Sequence, residues 1–527
     1  MAKVLITDKI NDLAVQIVSR VAQVDNLPTM EEDELCKIIE KYDALLVRSQ
    51  TKVTAKILEN AKNLKIIARA GVGVDNIDVA AATQKGIIVV NSPDGNTHAA
   101  AEHTIAMMMT MARNIPVADA SVKQGLWERS KFTGVEVYNK TLGIIGLGKI
   151  GSHVANVALA LGMKVIVFDP YANKEMVEKM GARYVEHLDE FWGECDFITI
   201  HTPKTKETTG LINVNTLNQM KKGVRIINCA RGGIIDENAL YEAIKSGTVA
   251  GAAIDVYEDE KHIADSPLIK LGKNIVLTPH LGASTDEAQI NVAVDVANQV
   301  ANVLSGGNAT SAINIPALKP QKLEAVKDYM GLAQNIAEFA TQLIEGSIKE
   351  INISVSGKLT ELDCSPLEIA ILKGVLSARL VDINYVNAPI IAKQRGIEVK
   401  TSKINNSKDE IEVTIITSSN TSVIKGSLLA KDVKRIVQIN NYRTSIEPKS
   451  HMLLVPHINK PNMVALVAGV LGADKINISG MQVAQSIDNP ELSVMIINCD
   501  TEVKEETLSK INAIEGINQA KYIGLEI

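Results

Sequence analysis

Arg231, Glu260 and His280 are three side chains that together can move a proton and hold a carboxylate. His280 closes a β-branched run, Asn274 to His280, and a histidine's near-neutral pKa suits it to take the proton of a hydroxyl. Glu260 follows the preceding apolar run. A carboxylate hydrogen-bonded to the imidazole fixes its tautomer and raises its pKa. Arg231 is followed by Gly232 and Gly233, and its planar fork can clamp a carboxylate and polarise a neighbouring carbonyl. A blander reading stands beside each: a satisfied structural histidine, a solvated acid in the charged stretch Glu258-Asp259-Glu260-Lys261, and an arginine on a phosphate. His103, His201 and His262 compete with His280, and only His201 shares its place at a strand end.

A hydroxyl that loses its proton can also lose a hydride, and the chain carries a site for a hydride acceptor. Thr141 to Asp169 reads TLGIIGLGKIGSHVANVALALGMKVIVFD. An apolar run, Leu142 to Ile145, is followed by Gly146-x-Gly148-x-x-Gly151. A helical segment follows, with Val154, Val157, Ala158 and Leu161 on one face, and then a run from Lys164 to Phe168. This is a βαβ unit with a dinucleotide fingerprint in its first turn. Gly146 permits the tight turn, Gly148 lets backbone approach a pyrophosphate, and Gly151 lets helix pack close on strand. The helix N-terminus offers free N–H groups to the phosphates. Asp169, at the end of the second run, can accept from both ribose hydroxyls and would repel a 2′-phosphate, so the pattern points to NAD rather than NADP. Cys229 reads as packing against the cofactor rather than as a nucleophile, since no base is placed for it.

The elements that must position these groups follow from periodicity. Residues 3 to 97 alternate short β-branched runs (KVLIT, ALLVRS, LKIIAR, IIVVN) with helical stretches, which predicts a flavodoxin-like parallel sheet. Two of its strand ends carry Arg48 and Arg69, which can bind a doubly anionic substrate or serve as ordinary surface ion pairs. His98 to Arg113 is apolar nearly all round and reads as a buried helix linking two lobes; Met107-Met108-Met109 belongs to it. Strands follow at Asp196–His201, Val224–Cys229, Gly251–Tyr257 and Asn274–His280. Ligands bind beyond the carboxyl ends of such strands. Ser284-x-x-Glu287 reads as a capping box opening a helix to about Leu304 that returns to the first lobe. After Ser305-Gly306-Gly307-Asn308 comes an α+β region, opening with a helix near Leu323 to Glu345 and holding an exposed polar loop at Thr401 to Glu410. From Ser450 the pattern is βαββαβ, ferredoxin-like.

A length of 527 residues implies three or four domains. A net charge of −6 argues against sequence-independent nucleic-acid binding. The five cysteines are far apart, without zinc or disulfide spacing, which suits reduced thiols in the cytoplasm. The N-terminus runs into a strand without a signal-like segment, and no apolar run is long enough for a bilayer. No metal is expected.

On these motifs the chain resembles the D-isomer-specific 2-hydroxyacid dehydrogenases. The shared residues are the glycine fingerprint with Asp169, H-T-P from His201, N-C-A-R-G-G from Asn228, D-V-Y-x-x-E from Asp255 and P-H-L-G-A-S-T from Pro279. Its full length resembles the long-chain branch of that family, which acts on 3-phosphoglycerate. The resemblance implies four parts: residues 1–97 with 285–314 as substrate lobe, 98–284 as NAD-binding Rossmann domain, 315–448 as intervening domain and 449–527 as ACT unit. Tyr385-Val386-Asn387-Ala388-Pro389 and Arg395-Gly396-Ile397 carry the likeness in the intervening part. It implies Arg231 on the substrate carboxylate, Glu260 as partner of the acid/base His280, and NAD on Lys149, Ile150, Asp169, Thr202, Cys229, Ala230, Asp255, Gly282 and Ala283. It implies 3-phosphoglycerate near Arg48, Arg69, Val74 and Asn96, an L-serine effector at His457, Asn459 and Asn477, and a homotetramer. Lys261 stands where a proline usually follows the glutamate, and Asn462 where the ACT turn usually has glycine. A dehydrogenase of another 2-hydroxy acid, with 2-oxoglutarate reduction as a side or main activity, is a rival. So is an NAD- or amino-acid-sensing protein, although sensing needs no acid/base pair.

Overall fold

The computed structural model describes residues 1–315, 320–430 and 433–527. Its first sheet contains β1 (Ala2–Ile6), β2 (Ala22–Asn26), β3 (Ala44–Val47), β4 (Ile66–Arg69) and β5 (Ile88–Val90). They run parallel in the order β2-β1-β3-β4-β5, the flavodoxin-like order expected. The central strands are apolar on both faces because helices cover both sides. β2 escaped the sequence reading: AQVDN is a half-exposed edge with a single buried residue, and such a strand carries little apolar signal.

The second sheet contains β6 (Thr141–Ile145), β7 (Lys164–Phe168), β8 (Arg183–Val185), β9 (Phe197–Ile200), β10 (Val224–Asn228), β11 (Val249–Ile254) and β12 (Ile275–Leu277). All are parallel, in the order β12-β11-β10-β9-β6-β7-β8. The order reverses between β6 and β9, so a crevice opens there beyond the strand ends. All four strands expected after the fingerprint are shorter than expected: β9 lacks Asp196 and His201, and β10 lacks Cys229. β11 ends at Ile254, so Asp255 to Tyr257 already lie in the turn beyond it. β12 spans three residues, because Asn274 (φ 64°) and His280 (φ 57°) have left-handed backbone that no strand accommodates.

Helix Thr97–Ala112 joins the lobes and buries Met107 and Met108. Helix Asp286–Leu304 returns to the first lobe, where Val292, Val296 and Val300 pack with Ala14 and Val18. Its cap differs from expectation by one residue. Thr285 is the N-cap, its hydroxyl accepting from the Ala288 amide at 3.1 Å, while the Ser284 amide closes a turn on Leu281. The helix therefore opens with a single cap and not a capping box.

The third sheet contains β13 (Ile348–Ser356), β14 (Glu398–Ile404), β15 (Glu410–Thr417), β16 (Thr421–Ala430), β17 (Val433–Ile439) and β18 (Tyr442–Ile446). Its order is β14-β13-β15-β16-β17-β18, antiparallel except for β13 with β14. The polar loop expected at Thr401 to Glu410 is in part strand: Thr401 to Ile404 belong to β14, an exposed edge whose side chains face water. Helices Pro320–Gln342 and Ser365–Ser377 pack into one core with this sheet.

The fourth sheet contains β19 (His451–Ile458), β20 (Ile478–Gln485), β21 (Leu492–Cys499) and β22 (Lys521–Gly524), antiparallel in the order β20-β21-β19-β22. With helices Met463–Ala473 and Glu505–Asn512 it makes the expected βαββαβ unit. Both faces are apolar, at alternate residues. Leu453, Val455, Met495 and Ile497 pack with residues of the unit's own helices, while Met452, Leu454, Val494 and Ile496 join the core of the third sheet. Asn462 (φ 75°) opens the first of these helices in the left-handed region, where asparagine is tolerated.

Helices Pro320–Gln342 and Ser365–Ser377 cross at Gly374, where a Cβ would lie 2.4 Å from the Gln334 carbonyl oxygen. Gly374→Ala must push them apart, costing about 1–3 kcal/mol. The thermal midpoint of the full chain is expected to drop; an unchanged midpoint would contradict this packing.

Candidate active site

A cleft of about 740 Å³ opens between the two parallel lobes. Arg48, Arg69 and Asn96 line it from the first lobe and its linker; Arg231, Glu260 and His280 line it from the second. His280 Nδ1 lies 2.8 Å from Glu260 Oε1, with each side chain 46% exposed. With Nδ1–H donating to the carboxylate, Nε2 keeps its lone pair for a substrate proton.

The turn under His280 is built on Asp255, which is fully buried. The Asp255 carboxylate accepts from the Thr278 hydroxyl (2.6 Å) and the Leu281 (2.8 Å) and Gly282 (2.9 Å) amides, with His103 Nε2 at 3.2 Å. The His280 amide donates to the Asp255 carbonyl at 2.9 Å. Burial pushes the Asp255 carboxyl up, but His103, Thr278 and Leu281 together hold it below the usual carboxylate value. On the other side, Asp259 ties the loop that carries Glu260. Its carboxylate accepts from the Lys261 and His262 amides (3.1 and 3.3 Å), and His262 Nδ1 lies 2.8 Å away. These bonds restrain the loop where the expected proline is replaced by Lys261.

Arg231 sits on a turn braced by buried Asn228, whose side chain donates to the Arg231 carbonyl (2.9 Å) and accepts from the Ala230 amide (3.0 Å). Its Nε faces Asp75 Oδ2 of the opposite lobe at 3.4 Å. Burial lowers the Arg69 pKa, and the charges of Arg231 and Arg48 lower it further. Arg69 Nε and Asn96 Oδ1 are buried without a hydrogen-bond partner among the described residues. Val74 does not line the cleft and packs against the first-lobe core. Lys52, Asp75 and Lys204 line the cleft as well.

The other histidines have their own partners. His103 is on Asp255 and Thr278, and His262 on Asp259. His201 Nε2 lies 3.1 Å from the Thr199 hydroxyl, and burial lowers its pKa to about 4.

The fingerprint turn fits a dinucleotide. Gly146 has φ 94°, and a Cβ on Gly151 would lie 2.1 Å from the Gly146 carbonyl oxygen. Space beside Gly148 is open, as a pyrophosphate requires. Asp169 is oriented by the Leu147 and Tyr171 amides at 2.7 and 2.8 Å. Thr202 Oγ1 is buried without a partner among the described residues. Lys149 pairs with Asp94, and Ile150 packs against the core beneath the turn. Cys229 is partly buried, its thiol pushed up to about 12 by burial and the Asp255 charge, so it stays protonated at neutral pH. Ala283 lines the cleft between the lobes.

Residues 105–282 match the family model described as the NAD binding domain of D-isomer specific 2-hydroxyacid dehydrogenases. Residues 325–440 match the D-3-phosphoglycerate dehydrogenase intervening domain. The D-3-phosphoglycerate dehydrogenase of Synechocystis sp. is 46% identical over 100% of this chain and 95% of its own length. That of Archaeoglobus fulgidus is 41% identical over 99% of this chain and 100% of its own. The chain belongs to the D-3-phosphoglycerate dehydrogenase family. It is an NAD-dependent oxidoreductase of the 2-hydroxyacid dehydrogenase type. The crystal structure of Aquifex aeolicus D-lactate dehydrogenase with NAD and lactic acid is 31% identical, with a TM-score of 0.53 over 57% of this chain and 96% of that one. The TT0316 protein of Thermus thermophilus matches with a TM-score of 0.54 and 31% identity, covering 59% and 99%.

The three residues expected at an effector site are not together in one chain. His457 pairs with Ser493 across β21, whereas Ile478, next to Asn477, pairs with Cys499. Six residues of strand, about 20 Å, separate those positions. Asn459 donates to the Pro490 carbonyl at 3.1 Å. His457 is buried, with Nδ1 on the Ile458 carbonyl and Nε2 without a partner among the described residues.

His201 supplies a pH prediction. Between its ordinary 6.5 and its folded value of about 4, the unfolded chain takes up a proton that the folded chain refuses. Its neutral burial is therefore tolerated fully above pH 6.5 and costs stability as pH falls through that window. The thermal midpoint of the parent chain should fall more steeply than that of His201→Asn between these values; parallel curves would count against it.

Proposed function

We propose that this chain oxidises D-3-phosphoglycerate to 3-phosphohydroxypyruvate, the first step of L-serine synthesis. The observation that carries the reading is a His280–Glu260 pair facing arginines across one cleft. His280 Nε2 takes the C2 hydroxyl proton, and Glu260 stabilises the imidazolium that results. Arg231 holds the carboxylate beside the reacting carbon. Arg48 and Arg69 hold the phosphate, with Asn96 as a further polar contact. Held at the Gly146–Gly151 turn and Asp169, NAD would supply the acceptor for the C2 hydride. Closure of the lobes excludes water.

In this reading residues 1–97 with 285–314 form the substrate lobe, 98–284 bind NAD, 315–448 intervene and 449–527 regulate. The five free cysteines suit a reducing cytoplasm. The last unit serves as an ACT-type site for L-serine, supported by the unpartnered Nε2 of buried His457. Because His457 and Asn477 are far apart along the sheet, such a site needs two copies of the chain, in keeping with a homotetramer.

His280→Ala should lower kcat by roughly 10²–10⁴-fold with NAD affinity retained, and Glu260→Gln should lower it less. NADH formation from D-3-phosphoglycerate measures both, and full activity in His280→Ala would end the assignment. The same assay with L-serine tests regulation: turnover indifferent to serine would remove the effector reading and leave the catalytic one.

A further inference from the structure

Arg231 already has an anionic partner, and that partner lies where a substrate must compete. Its Nε faces Asp75 Oδ2 at 3.4 Å across the cleft. The loop from Gly71 to Asn76 brings the two groups to one spot. A Cβ on Gly73 would lie 2.3 Å from Arg231 Nη2 and 2.8 Å from Asp75 Oδ2, so the guanidinium rests directly on the backbone of this turn. The Arg231 side chain is 30% exposed and that of Asp75 is 77% exposed. The acid therefore has solvent to swing into.

The charges around it are lopsided. Arg48, Lys52, Arg69, Lys204 and Arg231 all line the cleft. Asp75, Glu258 and Glu260 line it too; Glu260 is committed to His280, and of the three Asp75 is the one in ion-pair contact with a guanidinium among the described residues. The Asp75 charge also opposes the loss of basicity that burial and Arg231 impose on Arg69.

We propose that Asp75 is an internal counter-ion that occupies Arg231 in place of the substrate carboxylate and is displaced by it. Asp75 thus acts as a positioning residue: it holds the guanidinium extended toward the opposite lobe and sets how strongly a carboxylate must bind to take its place. The exchange keeps the number of charges on Arg231 constant, and a half-exposed ion pair is weak enough to be replaced by a bidentate carboxylate. The inference rests on the assignment of Arg231 to the substrate carboxylate made above.

The test uses the full chain with Asp75→Asn, and with Asp75→Ser as a second charge-removing variant. Removing the competitor should lower KM for D-3-phosphoglycerate about two- to fivefold, the range of an exposed pair. The keto-acid product carries the same carboxylate, so kcat should fall alongside KM rather than rise. A merely structural lesion would raise KM. Asp75→Glu should return both constants toward the parent values. Oxalate, a carboxylate probe, supplies a readout without turnover. Its apparent Kd, from thermal shift in the presence of NADH, should tighten by the same factor in both neutral variants. Oxalate affinity that is unchanged or weaker overturns the role of Asp75. If no form of the chain turns over D-3-phosphoglycerate, the proposed reaction fails, and the oxalate measurement still decides the question for Asp75.

Discussion

Asp255 has no exposed surface, yet it carries a charge at neutral pH. Burying a carboxylate is costly unless donors replace the lost water. Here the Thr278 hydroxyl, two amides of the 280–282 turn and His103 do so. The same bonds fix the backbone after β12 where it turns left-handed at His280. Since His103 belongs to helix Thr97–Ala112, the His280 turn is braced against the element that joins the lobes. The carboxylate thus orients the turn that carries His280, and the helix on which the first lobe hangs keeps that turn in place.

The rest of the site is shared between the lobes. The first lobe presents Arg48 and Arg69 at the ends of β3 and β4, and the second presents Arg231 together with the imidazole and its carboxylate. Parallel sheets suit this division, since strand ends on one edge carry polar turns while the strands themselves stay apolar. Helix Asp286–Leu304, packed on the first lobe, follows directly on the His280 turn. Two covalent connections therefore cross the cleft, and both begin or end at residues that line it.

The second half of the chain is joined to the first by polar contacts as well as by packing. In the Tyr385-to-Pro389 segment, Val386 packs into the first-lobe core, and the neighbouring Asn384 side chain donates to the Gly86 carbonyl at 3.0 Å. Tyr385 donates to Gln334 at 2.9 Å, and Gln334 and Lys373 both donate to Glu526 near the end of the last unit at 2.9 Å. The βαββαβ sheet contributes one of its faces to the core of the third sheet. That face explains why β19 and β21 are buried almost throughout, where a two-layer unit standing alone would show alternation.

Much of this was legible in the residues alone. The glycine turn with Asp169, the helix returning to the first lobe and the βαββαβ pattern follow from local rules: periodicity, turn chemistry and strand ends. Arg231, Glu260 and His280 stood out because each follows an apolar run. The edge strands β2 and β8 did not stand out, since an edge is half solvated and its composition resembles a loop. The boundaries of β11 and β12 were also hidden, because the bonds that end them come from Asp255 and from left-handed residues rather than from composition. Above all, the sequence could not reveal that Asp75 meets Arg231, that Asp259 restrains the loop of Glu260, or that His457 and Asn477 lie apart. Residue type and spacing determined which chemistry was available. Which charges face one another was decided by how two lobes, far apart in the chain, close over a shared cleft, and only the packed structure sets that distance.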